Sequence, residues 1–291
     1  MNTSNPNSLP SIEEFVRQFD TDEFRQLFRE TGKFSEAEIN EEIHNFCEQS
    51  VYGFQVVSPY LPSEPSKEFR ILEVGAGSMV LSAYLGLMGF DVVPLEPVGV
   101  GFDFLLYFKA EVNRRYPFLK PLDKGAELLE AQDGQFDLIA SVNVVEHLDD
   151  PLLALDQMVK RLKPGGKMMH SCPNYLIPYD PHFGIPLWPQ GPERSGALFA
   201  KQIARNPGLW ESVNFITSKT IAKHFGAQVQ FKKGLLASAF NRLKTDPAYG
   251  SRHKTLLKLR LILAASGVLW LLGKLPGEYA TPMEFVVQKQ D

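Results

Sequence analysis

The sequence predicts an α/β protein built on a Rossmann-like, mainly parallel sheet of seven strands with helices on both faces. Three observations carry this. Ile71-Leu-Glu-Val-Gly-Ala-Gly-Ser78 is an apolar run that ends in a glycine turn. The turn opens into Ser78–Gly89, whose apolar residues fall at helical spacing. Further apolar runs of strand length follow, separated by helix-length patterns, and such alternation marks parallel strands joined by crossovers.

Residues 1–10 are polar and expected to be disordered. Ser11–Phe19, Asp22–Glu30 and Ser35–Val51 each show helical spacing, and Ser35 with Glu38 three residues on forms a capping box. These helices are expected to cap the ligand edge of the sheet, and Pro59–Ser66 reads as a linker. Residues 1–66 are therefore a tail with a helical cap, and 67–291 the main domain. Its core reads as strand Phe69–Val74, helix Ser78–Gly89, strand Asp91–Glu96 and a helix from about Phe102 to Arg115. A short strand at Phe118–Pro121, strand Phe136–Val142, helix Pro151–Leu162 and strand Lys167–Cys172 come next. Ser218–Phe225 is a further helix, Ala227–Lys233 a sixth strand and Met283–Lys289 a seventh. Residues 176–216 and 235–282 are insertions. Loops beyond about 12–15 residues carry function or structure of their own, so substrate selection is expected there.

With 44% hydrophobic residues in 291, the chain can bury a substantial core. A net charge of −4 and a pI near 5.9 leave no basic footprint for nucleic acid. Cys47 and Cys172 are too few for a disulfide framework or a cysteine zinc site. Met1–Pro10 lacks an apolar signal core, so cytoplasmic residence is expected.

Gly75 and Gly77 let the backbone approach a ligand, because a Cβ there would collide with it or forbid the turn. Two cofactors compete for such a turn. A dinucleotide needs G-x-G-x-x-G, but the third position is Val80. Glu73, inside the strand, serves no purpose for a dinucleotide; it suits a ligand with an ammonium group, since a carboxylate at a buried strand end needs a cationic or hydrogen-bonding partner. S-adenosylmethionine has that ammonium, and a ribose diol for Glu96. The glycine pair alone decides little.

The rest of the chain adds Gly125-Ala-Glu127, the strand Phe136–Val142, Asn143-Val-Val-Glu146-His147 and Leu162-Lys-Pro-Gly-Gly-Lys167. With Glu73–Gly77 these resemble the class I S-adenosylmethionine-dependent methyltransferases over residues 70–175. Asn143–His147 and Ser171-Cys-Pro-Asn174 are most similar to the ubiquinone-biosynthesis type of O-methyltransferase. The resemblance implies that Glu73, Gly75, Ala76 and Gly77 hold the methionine part and Glu96 the ribose hydroxyls. The family often has Asp where Gly125 stands, to meet the adenine amino group; here the backbone of Ala126, or Glu127, would serve. The family's third glycine is replaced by Met79. The expected activity is methyl transfer to an oxygen of a small or lipid-linked acceptor. The rivals are a nicotinamide-dependent oxidoreductase and a methyltransferase-like scaffold without turnover.

Asn143, Glu146 and His147 follow the fourth expected strand and should face the cofactor's methyl group. In the resembled enzymes the matching acid and histidine are associated with a divalent metal; with Asn143 at the first acid, the expectation here is a site without metal. The alternative is that Glu146 caps the helix at Pro151 and His147 packs beneath it. His182 lies in Tyr175-Leu-Ile-Pro-Tyr-Asp-Pro-His-Phe-Gly-Ile-Pro-Leu-Trp188, directly after a strand, and histidine is the commonest general base. A rigid loop in which His182 bonds only backbone is the other reading. Asp180 and Tyr179 are weaker candidates, and Cys172 reads as a small core residue.

Leu256–Leu275 is apolar nearly all round, with Arg252, His253, Lys254, Lys258 and Arg260 at its start. Its uncharged part, Leu261–Gly273, is short of the about 20 residues that span a bilayer. It reads either as a helix lying in a membrane interface or as a buried helix.

Overall fold

The computed structural model describes residues 9–97, 103–188, 191–245 and 254–289. Residues 1–8, Phe102, Arg252 and His253 lie outside them, and with them most of the expected N-terminal disorder. The chain divides into two compact units. The first holds the described residues up to Val142 with Asp156–Met168; the second holds Asn143–Leu155 and Met169–Lys289.

In the first unit, α1 (Ile12–Val16), α2 (Asp22–Arg29) and α3 (Glu36–Val57) precede the sheet. Ser11 and Ser35 close capping boxes with Glu14 and Glu38, and Thr21 accepts the Phe24 amide. Each helix thus starts with a side-chain acceptor for its orphan amides. α3 runs past its expected end at Val51, through Gly53, to Val57. Gly lowers helix propensity, but a Cβ at Gly53 would stand 3.0 Å from Leu81, so close packing both needs the glycine and keeps the turn helical.

β1 (Arg70–Val74) lies between β2 (Asp91–Leu95) and β3 (Phe136–Val142), parallel to both, with Glu73 beside Pro94 and Ala140. α4 (Val80–Met88) connects β1 to β2, and α5 (Asp103–Arg115) follows β2. Phe15, Phe19, Phe24 and Phe28 of the N-terminal helices bury themselves against Tyr84 of α4 and Phe104 and Phe108 of α5. Phe28 stacks on Phe104 with centroids 4.4 Å apart. The same cluster contains Ala76 and Met79, so the N-terminal helices brace the glycine turn from behind.

The expected strand at Phe118–Pro121 is not formed. Pro117 and Pro121 have no amide to donate, and pairing shrinks to one bridge between Leu95 and Leu122. β4 (Leu162–Cys172) is common to both units. β5 (Tyr179–Asp180) and β6 (Ile185–Pro186) make a separate short hairpin, followed by β7 (Val229–Phe231) and β8 (Met283–Gln288). The main sheet therefore has six strands rather than seven, in the order β2-β1-β3-β4-β8-β7, with β7 and β8 antiparallel.

In the second unit, Val145–His147 forms a 3-10 turn, and α6 (Pro151–Lys160) begins after it. The insertion after β4 holds the β5–β6 hairpin and three short helices, α7 (Pro192–Leu198), α8 (Ala200–Ile203) and α9 (Pro207–Ser212). Asn174 fixes its start: the buried side-chain amide donates to the carbonyls of Glu278 and Ala280 at 2.8 and 2.9 Å, and its oxygen accepts the Ser218 amide at 3.0 Å. After α10 (Ser218–Phe225) and β7, α11 (Leu235–Thr245) leads into two helices, Lys254–Ala265 and Val268–Leu272. The continuous helix expected over Leu256–Leu275 is broken at Gly267, whose φ of 74° is left-handed.

Candidate functional site

The turn after β1 is folded over the end of β2. Gly75 and Gly77 hold φ of 68° and 49°. The amides of Gly75 and Ala76 donate to Leu95 O at 2.8 and 3.1 Å, and the Gly77 amide donates to Glu96 Oε2 at 2.9 Å. A Cβ on Gly77 would meet nothing within 4 Å, so the turn's outer side is open to a ligand. Met79, at the third glycine position, keeps the glycine-like backbone with φ of 60° while its side chain is fully buried. The left-handed conformation costs a non-glycine residue about 1–2 kcal/mol, which core burial of the side chain offsets.

Glu73 accepts a hydrogen bond from Ser82 Oγ, and among the described residues it forms no ion pair. Burial, and more weakly the nearby Glu96, push its pKa up to about 8 against the Ser82 hydrogen bond. An acid so placed lacks a cation, and an ammonium group would supply one. Glu96 is also raised, by burial first, although the Gly77 amide and Lys109 oppose the shift. Lys109 of α5 clamps this end of β2 through Glu96 O at 3.1 Å and Asp123 Oδ1 at 2.6 Å.

Ala126 is buried at the start of a 3-10 turn, and Glu127 is half-buried beside it. A Cβ on Gly125 would stand 2.7 Å from Glu127 Oε2. The Glu127 carboxylate thus fills the space that an aspartate side chain would enter at 125. Glu73, Gly75, Ala76, Gly77, Glu96, Ala126 and Glu127 all belong to the first unit, and their donor set fits S-adenosylmethionine.

Asn143 begins the second unit with φ of 56°, exposed, its amide on Ser171 O at 2.7 Å. Glu146 is fully buried, and neither carboxylate oxygen has a hydrogen-bond partner. It does not cap α6, because Asp150 Oδ1 takes the Leu153 amide there. Two imidazoles face it instead: His147 Nε2 lies 4.0 Å and His182 Nε2 3.9 Å from Glu146 Oε1. One ligand atom from each of the three residues can be chosen so that all lie within 4.8 Å of one another.

Each imidazole is held from its other nitrogen. His147 Nδ1 is 2.9 Å from Ser212 Oγ. His182 Nδ1 is 3.4 Å from both Asp180 Oδ2 and Tyr175 OH, and Tyr175 OH donates to Asp180 Oδ2 at 3.0 Å. His182 is therefore tied to side chains, not to backbone alone. Burial pushes Glu146 up to about 7. Burial and then the charge of His182 push His147 down to about 4, which keeps it neutral. Asp180 ends below the usual carboxylate range, since hydrogen bonds from His182 and the Phe183 amide outweigh its burial. Tyr175 is raised by burial and the Asp180 charge. Cys172 is fully buried, its thiol pushed up by burial, as fits a core residue.

Asn214 pins the turn that carries Glu146. Its amide nitrogen donates to Val145 O at 2.8 Å and Leu148 O at 2.9 Å, and its backbone N–H donates to Glu146 O at 2.8 Å. Nothing in the sequence singles out Tyr175, Ser212 or Asn214, and Asp180 is among its weaker candidates. The Asn214-Phe-Ile-Thr-Ser pattern before α10 carries no local signal for contacts made about 70 residues away.

The model of the methyltransferase-domain family matches residues 19–232. An uncharacterized protein of Mycobacterium tuberculosis is 32% identical over 201 residues, covering 63% of this chain and 66% of its own length. The human mitochondrial ubiquinone biosynthesis O-methyltransferase is 26% identical over 200 residues, covering 64% of this chain and 49% of its own. The chain thus spans just under two thirds of the mycobacterial relative and about half of the human one. Among solved structures, the phosphoethanolamine N-methyltransferase 2 of Haemonchus contortus in complex with S-adenosyl-L-methionine superposes with a TM-score of 0.47 at 14% identity, over 99% of this chain and 62% of that one. With the family model covering well over half of its length, the chain belongs to the methyltransferase-domain family, as a class I S-adenosylmethionine-dependent methyltransferase.

Proposed function

We propose that the protein moves the methyl group of S-adenosylmethionine to an oxygen of a small or lipid-linked acceptor. The observation that carries the acceptor side is Glu146, a buried carboxylate without hydrogen-bond partners, flanked by two imidazole nitrogens within 4.0 Å. Oxygen as the methylated atom is supported by the ubiquinone biosynthesis O-methyltransferases among the relatives.

Glu73, Gly75, Ala76 and Gly77 would hold the amino-acid part of the cofactor. Glu96 would take the ribose hydroxyls, and Ala126 with Glu127 the adenine. When bound, the cofactor supplies a methyl group on a positively charged sulfur that leaves as a neutral thioether. The chain's tasks are to align the acceptor oxygen and to take its proton. His182 is the first choice as base, because Asp180 and Tyr175 hold its Nδ1 and leave Nε2 for the acceptor. His147, held by Ser212, is the second.

The same donors fit a divalent ion, contrary to the expectation drawn from Asn143. Two imidazoles and a carboxylate are a common transition-metal ligand set, and both histidines already have the outer partners that orient metal ligands. Held by Glu146, His147 and His182, such an ion would supply positive charge that lowers an acceptor hydroxyl's pKa.

The test is incubation of the protein with methyl-labelled cofactor and extracted metabolites and lipids. Label recovered in an ether supports the reading. Label on nitrogen or carbon alone overturns oxygen as the acceptor atom. Bound cofactor without label transfer overturns turnover and favours the scaffold reading.

A further inference from the structure

The two helices Lys254–Ala265 and Val268–Leu272 lie beyond the family match and pack on each other and on α11. Leu257, Leu263, Val268, Leu269 and Leu272 are half-buried. The outward side is just as apolar: Leu261 is 62% exposed, Ile262 66%, Trp270 63% and Leu271 55%. Four large apolar side chains this exposed on two short helices mark a candidate contact site. From residue 247 to residue 277 the chain has no acidic residue, yet it carries Arg252, Lys254, Lys258, Arg260 and Lys274. Lys274 Nζ sits 3.7 Å from the centroid of the exposed Trp270 ring, and Arg260 reaches Asn241 Oδ1 at 3.3 Å. Beside Trp270 runs a groove of 520 Å³, lined by small side chains such as Ala237 and Ala264.

We propose that this helix pair is a docking surface for an anionic phospholipid bilayer. The longer helix has 12 residues, and among the described residues no helix is long and apolar enough to cross a membrane. For exposed apolar side chains on a segment that carries five cations and no acid, the fitting occupant is the interface itself, with leucines and tryptophan at the acyl boundary and Arg260 and Lys274 toward the phosphates. A second copy of the chain is a poorer occupant. A two-fold interface sets the same segment against itself, and a stretch with five cations and no acid has nothing of its own to pair them. The proposal does not rest on methyl transfer, and its test reads no activity.

The full-length protein is sedimented with vesicles of phosphatidylcholine alone or mixed with phosphatidylglycerol, at low and high salt. Binding is expected to the mixed vesicles at low salt, falling at least about fivefold at high salt because exposed charges are screened within about 3 Å at molar ionic strength. The double variant Leu261→Glu, Ile262→Glu should lose at least about tenfold in bound protein with its melting curve unchanged, since both side chains are already exposed. If that variant melts early, the unaltered protein still decides. The Trp270 emission, taken as the difference from Trp270→Phe, should shift to the blue on mixed vesicles. No sedimentation at low salt, no blue shift, or equal binding to uncharged vesicles overturns the proposal, as does concentration-dependent dimerisation that the double variant abolishes.

Discussion

Glu96 Oε2 accepts the Gly77 amide at 2.9 Å, so the acid that follows β2 is bonded to the glycine turn that follows β1. One side chain both closes the turn and is the one expected to meet a ribose. Replacing Glu96 with Ala should therefore weaken cofactor binding more than loss of one ligand contact would. One hydrogen bond to a charged group is worth about 1.5–3 kcal/mol, a factor of about 10–150, so with the ribose contact and the turn's own bond both lost the affinity for S-adenosylhomocysteine should fall by more than that single-bond factor in calorimetry. Gly75→Val should abolish binding, because φ of 68° is closed to a branched residue. Unchanged affinity in Gly75→Val would place the ligand elsewhere.

Glu73 makes binding and stability depend on pH in opposite senses. Its pKa in the folded protein, about 8, lies above the ordinary carboxylate value. The folded state keeps a proton that the unfolded state gives up, so this group's contribution to stability falls as pH rises from the ordinary value toward 8. Glu73→Gln should raise the melting temperature at neutral pH, with the gain vanishing near pH 4. A ligand ammonium prefers the carboxylate, so wild-type affinity for S-adenosylhomocysteine should climb between about pH 6 and 8, and Glu73→Gln should lose both the affinity and the slope. A wild-type affinity flat across that range would contradict the assignment.

The histidine pair predicts a separation of effects. His182→Ala should lower turnover by about 10²–10⁴-fold while leaving cofactor affinity as it was, and His147→Ala should cost less. Asp180→Asn acts through His182 and should cost about 10–100-fold in activity or metal affinity. Calorimetry with manganese or zinc on the cofactor-free protein reads the metal directly: a binding isotherm lost in Glu146→Gln would establish the site, and no heat with either ion would leave His182 as a base.

Asn214→Ala removes the donors to Val145 O and Leu148 O. Val145 O keeps the Leu148 amide at 3.5 Å while part-buried Leu148 O loses its side-chain donor, and an unsatisfied group costs about 1–3 kcal/mol when buried, so chemical denaturation should show a loss toward the lower end of that range. Full stability in this variant would mean that other contacts hold the turn.

What the sequence made legible was local. The β1 turn, the capping boxes at Ser35 and the start of α10 rest on neighbours in the chain, and all lie where the pattern put them. The expected strand at Phe118–Pro121 failed because the proline spacing outweighs its apolar run. The long apolar helix failed because a single left-handed Gly267 divides it. Glu146, His147 and His182 were found as residue types, but the partners that fix them, Asp180, Tyr175, Ser212 and Asn214, assemble through tertiary contacts that no spacing encodes. Glu127 shows the same limit: only the structure reveals that its carboxylate occupies the space open at Gly125.

The loop between β4 and α10 touches the Glu146–His147 turn from both of its ends. Asp180 and His182 come from its beginning, Ser212 and Asn214 from its close. Loop and turn are thus a single inheritable cassette. A chimaera that imports a relative's loop alone would leave Glu146 without His182 and His147 without Ser212, whereas transplanting 143–148 together with 174–218 carries the whole constellation. On the proposed function, a change of acceptor is expected to move in blocks, the two distant stretches of the gene changing in concert.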